Sequence, residues 1–146
     1  MIKESFVKYE TAKLLEYYGF KQNTMAFYVD CDETEMSYYD PLSKKKQVMV
    51  LKRGDFIDPN DQTIQDYYTK GKCISAPTHQ MAMTFLRTHN NYISLTPVIN
   101  EGQLEISAKI RYVSHLGSLV VAQTIVSKSY DECVESAIKW CLENIF

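Results

Sequence analysis

The sequence is short of the residue patterns that build common catalytic and cofactor sites. Its five glycines form no phosphate-binding loop and no Gly-x-Ser-x-Gly nucleophile turn. Its four cysteines show no Cys-x-x-Cys spacing, and its three histidines are not spaced with them as metal ligands. We therefore predict no catalytic residue, cofactor or metal. An enzyme whose site residues converge from distant positions stays open as an alternative.

Long apolar runs are also missing. No stretch approaches the roughly 20 apolar residues of a membrane span, and the opening residues MIKESFVKYE lack the apolar core of a signal peptide. Cys133 and Cys141 fall on one predicted helix, about 12 Å apart in rise, which is too far for a disulfide. We expect a cytoplasmic protein with reduced thiols and no membrane partner.

The charge balance argues against a general nucleic-acid binder. The net charge is −2 at pH 7, whereas non-specific binding to nucleic acid depends on neutralising phosphates. One basic cluster keeps this alternative open, although lysine-rich turns are more often solubilising or protect a strand edge. The candidate nucleic-acid contacts are Lys44, Lys45, Lys46, Lys52 and Arg53.

The N-terminal half is predicted to form one helix and then strands. The helix runs over Tyr9–Tyr18 and ends at Gly19, which suits a left-handed position after a helix. Strands are predicted at Met25–Cys31, Tyr38–Tyr39 and Gln47–Leu51. The polar segment 54–72 is interpreted as a long loop or a boundary between two lobes.

The C-terminal half shows clearer patterns. A helix is predicted over Pro77–Thr88, with Pro77 in its first turn and His89 as a capping group at its end. A last helix over Tyr130–Asn144 follows a capping box at Ser129. Between them lies an antiparallel meander, in which the third strand is apolar on both faces and should be central or covered on both sides. Its strands are Tyr92–Val98, Gln103–Val113 and Ser118–Val126.

These patterns predict a single α+β domain over residues 1–146: an N-terminal helix and strands, then an α-β-β-β-α series. Whether the two halves share one sheet or form two small lobes stays open. The helices should pack on the meander through the apolar side chains of Phe85, Leu86, Val134, Ile138 and Cys141.

The apolar arc of the Pro77–Thr88 helix is wide for a small sheet to cover. Such an arc is either core or a contact surface, and methionine and tyrosine suit adaptable contacts. We therefore predict a homodimer, with another protein as the alternative partner. The candidate interface residues are Met83, Tyr38, Tyr39, Tyr67 and Tyr68.

Three segments, ETAKLLEYYGF (10–20), ISAPTHQMAMTFLRTHNN (74–91) and SYDECVESAIKWCLENIF (129–146), carry a family resemblance. The chain resembles a widespread group of short uncharacterised proteins of gut anaerobes and their phages, although Phe85 stands where that group commonly has tryptophan. The resemblance implies a small cytoplasmic protein of a phage, a mobile element or its host. The group has no assigned reaction, so no catalytic residue is carried over.

From these observations we expect a non-enzymatic binding or interaction protein of phage or mobile-element type. A nucleic-acid-associated accessory protein, acting in phage replication, recombination or counter-defence, is one alternative. A small-molecule-binding enzyme whose site is hidden in the sequence is the other.

Overall fold

The computed structural model describes residues 5–22, 24, 26–32, 47–53 and 73–146. These residues form three helices and six strands, in an α+β arrangement, as predicted. In chain order the elements are α1 (Tyr9–Tyr17), β1 (Ala26–Asp32), β2 (Gln47–Arg53), β3 (Cys73–Ser75), α2 (His79–Thr88), β4 (Asn91–Asn100), β5 (Gln103–Val113), β6 (Leu119–Ser127) and α3 (Tyr130–Asn144).

The chain divides into two compact units, each with its own sheet. One unit combines the residues up to Phe20 with Thr78–Phe146, and the other is Lys21–Pro77. The described strands form two antiparallel sheets, in the orders β2-β1-β3 and β4-β5-β6. In the part of the chain that the structure describes, the strands of the two halves therefore do not share one sheet. The assignment of residues 1–146 to a single domain stays a prediction.

The Lys21–Pro77 unit has β1 as its central strand. Val29 pairs with Val50 of β2 and with Cys73 of β3, both antiparallel. The short strand β3 was not predicted, because three residues are too few to show an alternation. The predicted strand Tyr38–Tyr39 and the polar segment 54–72 lie outside the described residues.

Helix α1 ends as its sequence predicted. Gly19 has a φ of 99°, the left-handed conformation that favours glycine. The Phe20 N–H donates to the Leu15 carbonyl at 2.9 Å, and the Gly19 N–H donates to the Glu16 carbonyl at 3.1 Å. These two bonds make a Schellman motif, in which the buried Phe20 closes over the buried Leu15.

Helix α2 begins two residues later than predicted. Thr78 is its N-cap, and the Thr78 hydroxyl accepts the Met81 N–H. The Met81 N–H is one of the first N–H groups of the helix, which have no partner within it, and the threonine side chain satisfies it. Pro77 therefore precedes the helix instead of occupying its first turn. At the other end the prediction for His89 is confirmed: its Nδ1 lies 3.1 Å from the Phe85 carbonyl oxygen, to which it donates.

The β4-β5-β6 meander has the predicted order, with β5 in the centre. Its first turn is Glu101-Gly102, both with positive φ, as two-residue hairpins require. The side chains of Ala108 and Ile110 on β5 are fully buried. Helix α3 contacts β5 and β6, and α2 contacts β4. We call the side of the sheet that Ala108 and Ile110 face, where the helices lie, the inner face.

The prediction that the third strand is central or covered on both sides is wrong. Among the described strands β6 lies at the edge of its sheet, and its Val121 and Val126 are each 50% exposed. Burial alternates along β5, which shows that only one face of the sheet is covered. The apolar residues on the other face of β6 are therefore exposed.

Helix α3 has the predicted bounds and supplies the largest share of the core. The Ser129 hydroxyl accepts the Glu132 N–H at 3.3 Å and so caps the helix. The predicted core residues Phe85, Leu86, Val134, Ile138 and Cys141 are all buried. Cys133 and Cys141 are free and buried. Burial raises the pKa of Cys141 to about 12, so this thiol is protonated at neutral pH.

Candidate functional site

The first candidate site is the outer face of the meander, which lies opposite the inner face. Side chains of a strand alternate between the two faces, so the neighbours of Ala108 and Ile110 on β5 point outward. The outer face carries large apolar side chains that remain exposed: Tyr92, Val113, Leu119, Val121 and Val126. Solvated faces of antiparallel sheets are usually polar, which makes this composition unusual.

Charged residues run along the middle of the outer face. They are Glu105, Lys109 and Arg111, all on the central strand β5. The Arg111 guanidinium donates from Nη1 to the Ser94 hydroxyl on β4, at 3.2 Å. The strand is therefore acidic near the Glu101-Gly102 turn and basic farther from it.

The register of the strands places Arg111 and Lys109 each between one residue of β4 and one residue of β6. We call such a set of three paired residues a row. Tyr92 of β4 pairs with Arg111, which pairs with Val121 of β6. In the next rows, Lys109 lies between Ser94 and Thr124, and Ser107 lies between Thr96 and Val126. Arg111 is thus flanked by Tyr92 and Val121, and arginine and tyrosine are residue types enriched at contact surfaces.

The second candidate site is a buried pair between His79, the first residue of α2, and Glu135 of α3. The His79 Nε2 lies 2.9 Å from one carboxylate oxygen of Glu135. The other oxygen accepts the Lys8 N–H at 2.6 Å, at the start of α1. Both residues are more than nine-tenths buried. Glu135 therefore joins the beginnings of two helices to the middle of a third.

Electrostatics hold Glu135 in its charged form. Burial alone would raise the pKa of the Glu135 carboxyl. The hydrogen bonds from His79 and from the Lys8 N–H outweigh this effect, so the pKa lies below its ordinary value. The Nδ1 atom of His79 is buried and has no hydrogen-bond partner.

Two cavities flank this pair. A cavity of about 160 Å³ lies on the His79 side, and a cavity of about 540 Å³ lies on the Glu135 side. The smaller is lined by Ser5, Thr78, His79, Gln80, Met83, Tyr130 and Asp131. The larger is lined by Lys8, Tyr9, Glu10, Thr11, Glu135, Ser136 and Lys139. Ser5 donates to the Asp131 carboxylate at 2.8 Å, and Lys139 pairs with Glu10 at 2.9 Å, so most charged groups there already have partners.

Of the interface residues predicted from sequence, only Met83 lies among the described residues. It is partly exposed and lines the smaller cavity. Lys52 and Arg53 are the last two residues of β2. Tyr38, Tyr39, Tyr67, Tyr68, Lys44, Lys45 and Lys46 lie outside the described residues, so the predicted interface and the predicted nucleic-acid contacts stay predictions.

Sequence reasoning missed the His79–Glu135 pair. One signal was available, because Glu135 precedes Ile138 by three positions and Leu142 by seven, which places a charge on the apolar arc of α3. A charge on such an arc needs a buried partner. Nothing in the sequence around His79 identifies that partner.

Comparison with models of known protein families, with curated proteins and with solved structures found no match. Among the residues that the structure describes, none of the helices has the length and apolar character that crossing a membrane requires. The same residues hold no group of three or more His, Cys, Asp or Glu side chains placed to bind a metal ion.

Proposed function

We propose that the protein is a small, cytoplasmic, non-enzymatic interaction protein of phage or mobile-element type, and that the outer face of the meander is its binding surface. The observation that carries this proposal is the half-exposed valine pair Val121 and Val126, together with the 59% exposed Leu119, on one edge strand. Leu119 and Val121 lie at neighbouring positions of the outer face, and Val126 lies beyond the row of Thr124. Exposed apolar residues grouped on one face are a mark of interaction sites in soluble proteins.

The arrangement of the outer face supports the same interpretation. Tyr92 and Arg111, residue types enriched at protein interfaces, lie in one row with Val121. The family resemblance supports the phage or mobile-element origin and the cytoplasmic location. Its three segments coincide largely with α1, with the stretch from Ile74 through α2, and with α3, the elements from which much of the core is built.

Site-specific photocrosslinking tests the surface. A photoreactive amino acid is placed at Val121 or at Val126, and in a control at Glu16, an exposed residue of α1. Irradiation in host cell extract and with purified protein should give discrete crosslinked species from the two β6 positions and none from Glu16. An equal background from all three positions would contradict the proposal.

An enzyme is the second candidate, and one observation favours it. The buried Nδ1 of His79 has no partner, and the ring is held by a carboxylate, which is how proton-transferring histidines are oriented. The pair would then move a proton for a small substrate in the adjoining cavity. A substrate screen with wild type and His79→Gln is the test. Turnover that the variant loses, at unchanged thermal stability, would favour this candidate over the first.

A further inference from the structure

The outer face of the meander is complementary in charge to itself. Glu105 and Lys109 lie on β5, two residues on either side of Ser107, so all three side chains point to the outer face. A two-fold axis through Ser107, in the plane of the interface and across the strands, exchanges the positions of Glu105 and Lys109. Two copies related by this axis each place an acid opposite a base.

We propose that the occupant of the outer face is a second copy of this chain, docked face to face about this axis. This inference rests on the proposed function, since it names the partner of the same surface. Glu105 of each copy then faces Lys109 of the other, which gives two equivalent ion pairs. Such an interface is isologous, the type found in closed dimers.

One exposed apolar residue, Val126, agrees with this axis, whereas Val121 and Leu119 lie opposite the levels of Gln103 and Glu101, beyond the last residue of β6. Val126 of β6 lies in the row of Ser107, so the axis brings Val126 against its equivalent in the second copy. Thr96 of β4 completes the row on the other side of β5. An apolar contact therefore lies beside the two ion pairs, one strand away on β6.

The other face-to-face arrangement is unfavourable. An axis along β5 would place each charged residue of this strand against its own equivalent. Glu105 would meet Glu105, Lys109 would meet Lys109, and Arg111 would meet Arg111, in three like-charge contacts. Like charges across an interface act against a given partner or orientation. The charge pattern thus disfavours the stacking about an axis along β5 and favours the stacking about the axis through Ser107.

The size of the face sets the expected affinity. Three strands at the usual spacing make a face about 15 Å wide, and the 10 residues of β4 make it about 33 Å long, so its area of about 500 Å² is below the roughly 800 Å² that each partner buries in a standard interface. We therefore expect a dissociation constant in the micromolar range.

Charge reversal tests the axis directly. We compare wild type, Lys109→Glu, Glu105→Lys and the double variant by sedimentation equilibrium. Each single reversal creates two like-charge contacts and should raise the dissociation constant at least about tenfold. The double variant restores both pairs and should return to within about threefold of wild type. Wild-type affinity should also fall as salt is added.

Mixing the two single variants gives a second test of the same geometry. A heterodimer of Lys109→Glu with Glu105→Lys has two opposite-charge contacts, whereas each homodimer has two like-charge contacts. The equimolar mixture should therefore associate more tightly than either variant alone. Glu16→Lys, a reversal on an exposed residue of α1, is the matched control and should leave association unchanged.

Three results would overturn the inference. The first is a monomeric wild type at several hundred micromolar. The second is a dimer that single reversals do not weaken, or that the double variant and the mixture do not restore. The third is a dimer that Met83→Glu dissociates while Lys109→Glu does not. If wild type is monomeric but a crosslinker at Val121 still captures another protein, the inference fails while the proposed function stands. If no crosslink forms either, both fail.

Discussion

The two faces of the β4-β5-β6 sheet are made by the same three strands but have opposite environments. On the inner face, Ala108 and Ile110 are fully buried beneath the helices. On the outer face, Val121 and Val126 are half exposed, although valine is as apolar as the residues within. The difference shows that apolar composition alone does not decide burial in this sheet. The position of α2 and α3 decides it.

This contrast separates residues that stabilise the chain from residues available for contacts. A side chain under the helices contributes its full transfer free energy to folding, and its removal also leaves a cavity. A half-exposed valine contributes only part of that and leaves no cavity. Mutations on the two faces should therefore differ in kind as well as in size.

The largest effect is expected on the inner side of the sheet. Ile138 of α3 is fully buried, and Ile138→Ala should lower the free energy of unfolding by about 2–5 kcal/mol because it opens a cavity. Urea denaturation measures this change. The half-exposed Val126→Ala is the matched control, with an expected cost below about 1 kcal/mol. An equal loss of unfolding free energy in the two variants would contradict the distinction between the faces.

The next effect concerns the buried charge on the helix side. Glu135→Gln keeps the shape of the side chain but removes the charge that His79 and the Lys8 N–H bind, so we expect a loss of about 1–3 kcal/mol. Asp131→Asn, at an exposed residue of the same helix, is the control and should cost less.

The pH dependence of Glu135 has a definite sign. Its pKa is lowered in the folded state, so its contribution is fully present above its ordinary value of 4.5 and is lost as the pH falls through the lower, folded-state pKa. The stability gap between wild type and Glu135→Gln should therefore be constant near neutral pH and close in acid. A gap that widens on acidification would contradict the assigned shift.

A smaller effect is expected where α3 begins. Ser129→Ala removes the hydroxyl that accepts the Glu132 N–H, at a cost of about 1 kcal/mol. The threonine variant retains an acceptor and should recover most of the loss. Thermal melts of the two variants, followed by circular dichroism, make the comparison. If alanine and threonine behave alike, the cap does not hold the helix that covers the inner face.

The smallest change in folding is expected on the outer face. Val126→Thr replaces one methyl group by a hydroxyl at a half-exposed position and should change the unfolding free energy of the monomer by less than about 0.5 kcal/mol. The same change should weaken self-association, which sedimentation measures. A marked loss of stability without any change in association would show that Val126 belongs to the core.

Local patterns account for the parts of the fold that were predicted correctly. The bounds of β5 and α3 follow from regular alternation and from a helix periodicity with a serine cap. The edge position of β6 could not be predicted in this way, since strand order depends on which strands pair. The sequence pattern reports only that both sides of β6 are apolar. Likewise, a three-residue strand such as β3 leaves no periodic trace.

The candidate sites were less predictable than the fold, for a related reason. Glu135 and His79 are 56 residues apart, and only the packing of α2 on α3 brings them together. The outer face depends on the register of three strands, which sets Arg111 between Tyr92 and Val121. Met83 was chosen from one helix alone. Its predicted role in an interface awaits the association measurements described above.

The attachment of residues 5–10 to α3 has a consequence for the order in which this unit assembles. Ser5 bonds to Asp131, the Lys8 N–H to Glu135, and Glu10 to Lys139, across 126, 127 and 129 residues of sequence. On the ribosome Ser5, Lys8 and Glu10 are synthesised first, and Lys21–Pro77 follows. Their partners on α3 are synthesised last, so these contacts cannot form before then. Contacts of such long separation make folding slow. Closure of this unit is therefore a late step, which completes only after α3 has left the exit tunnel.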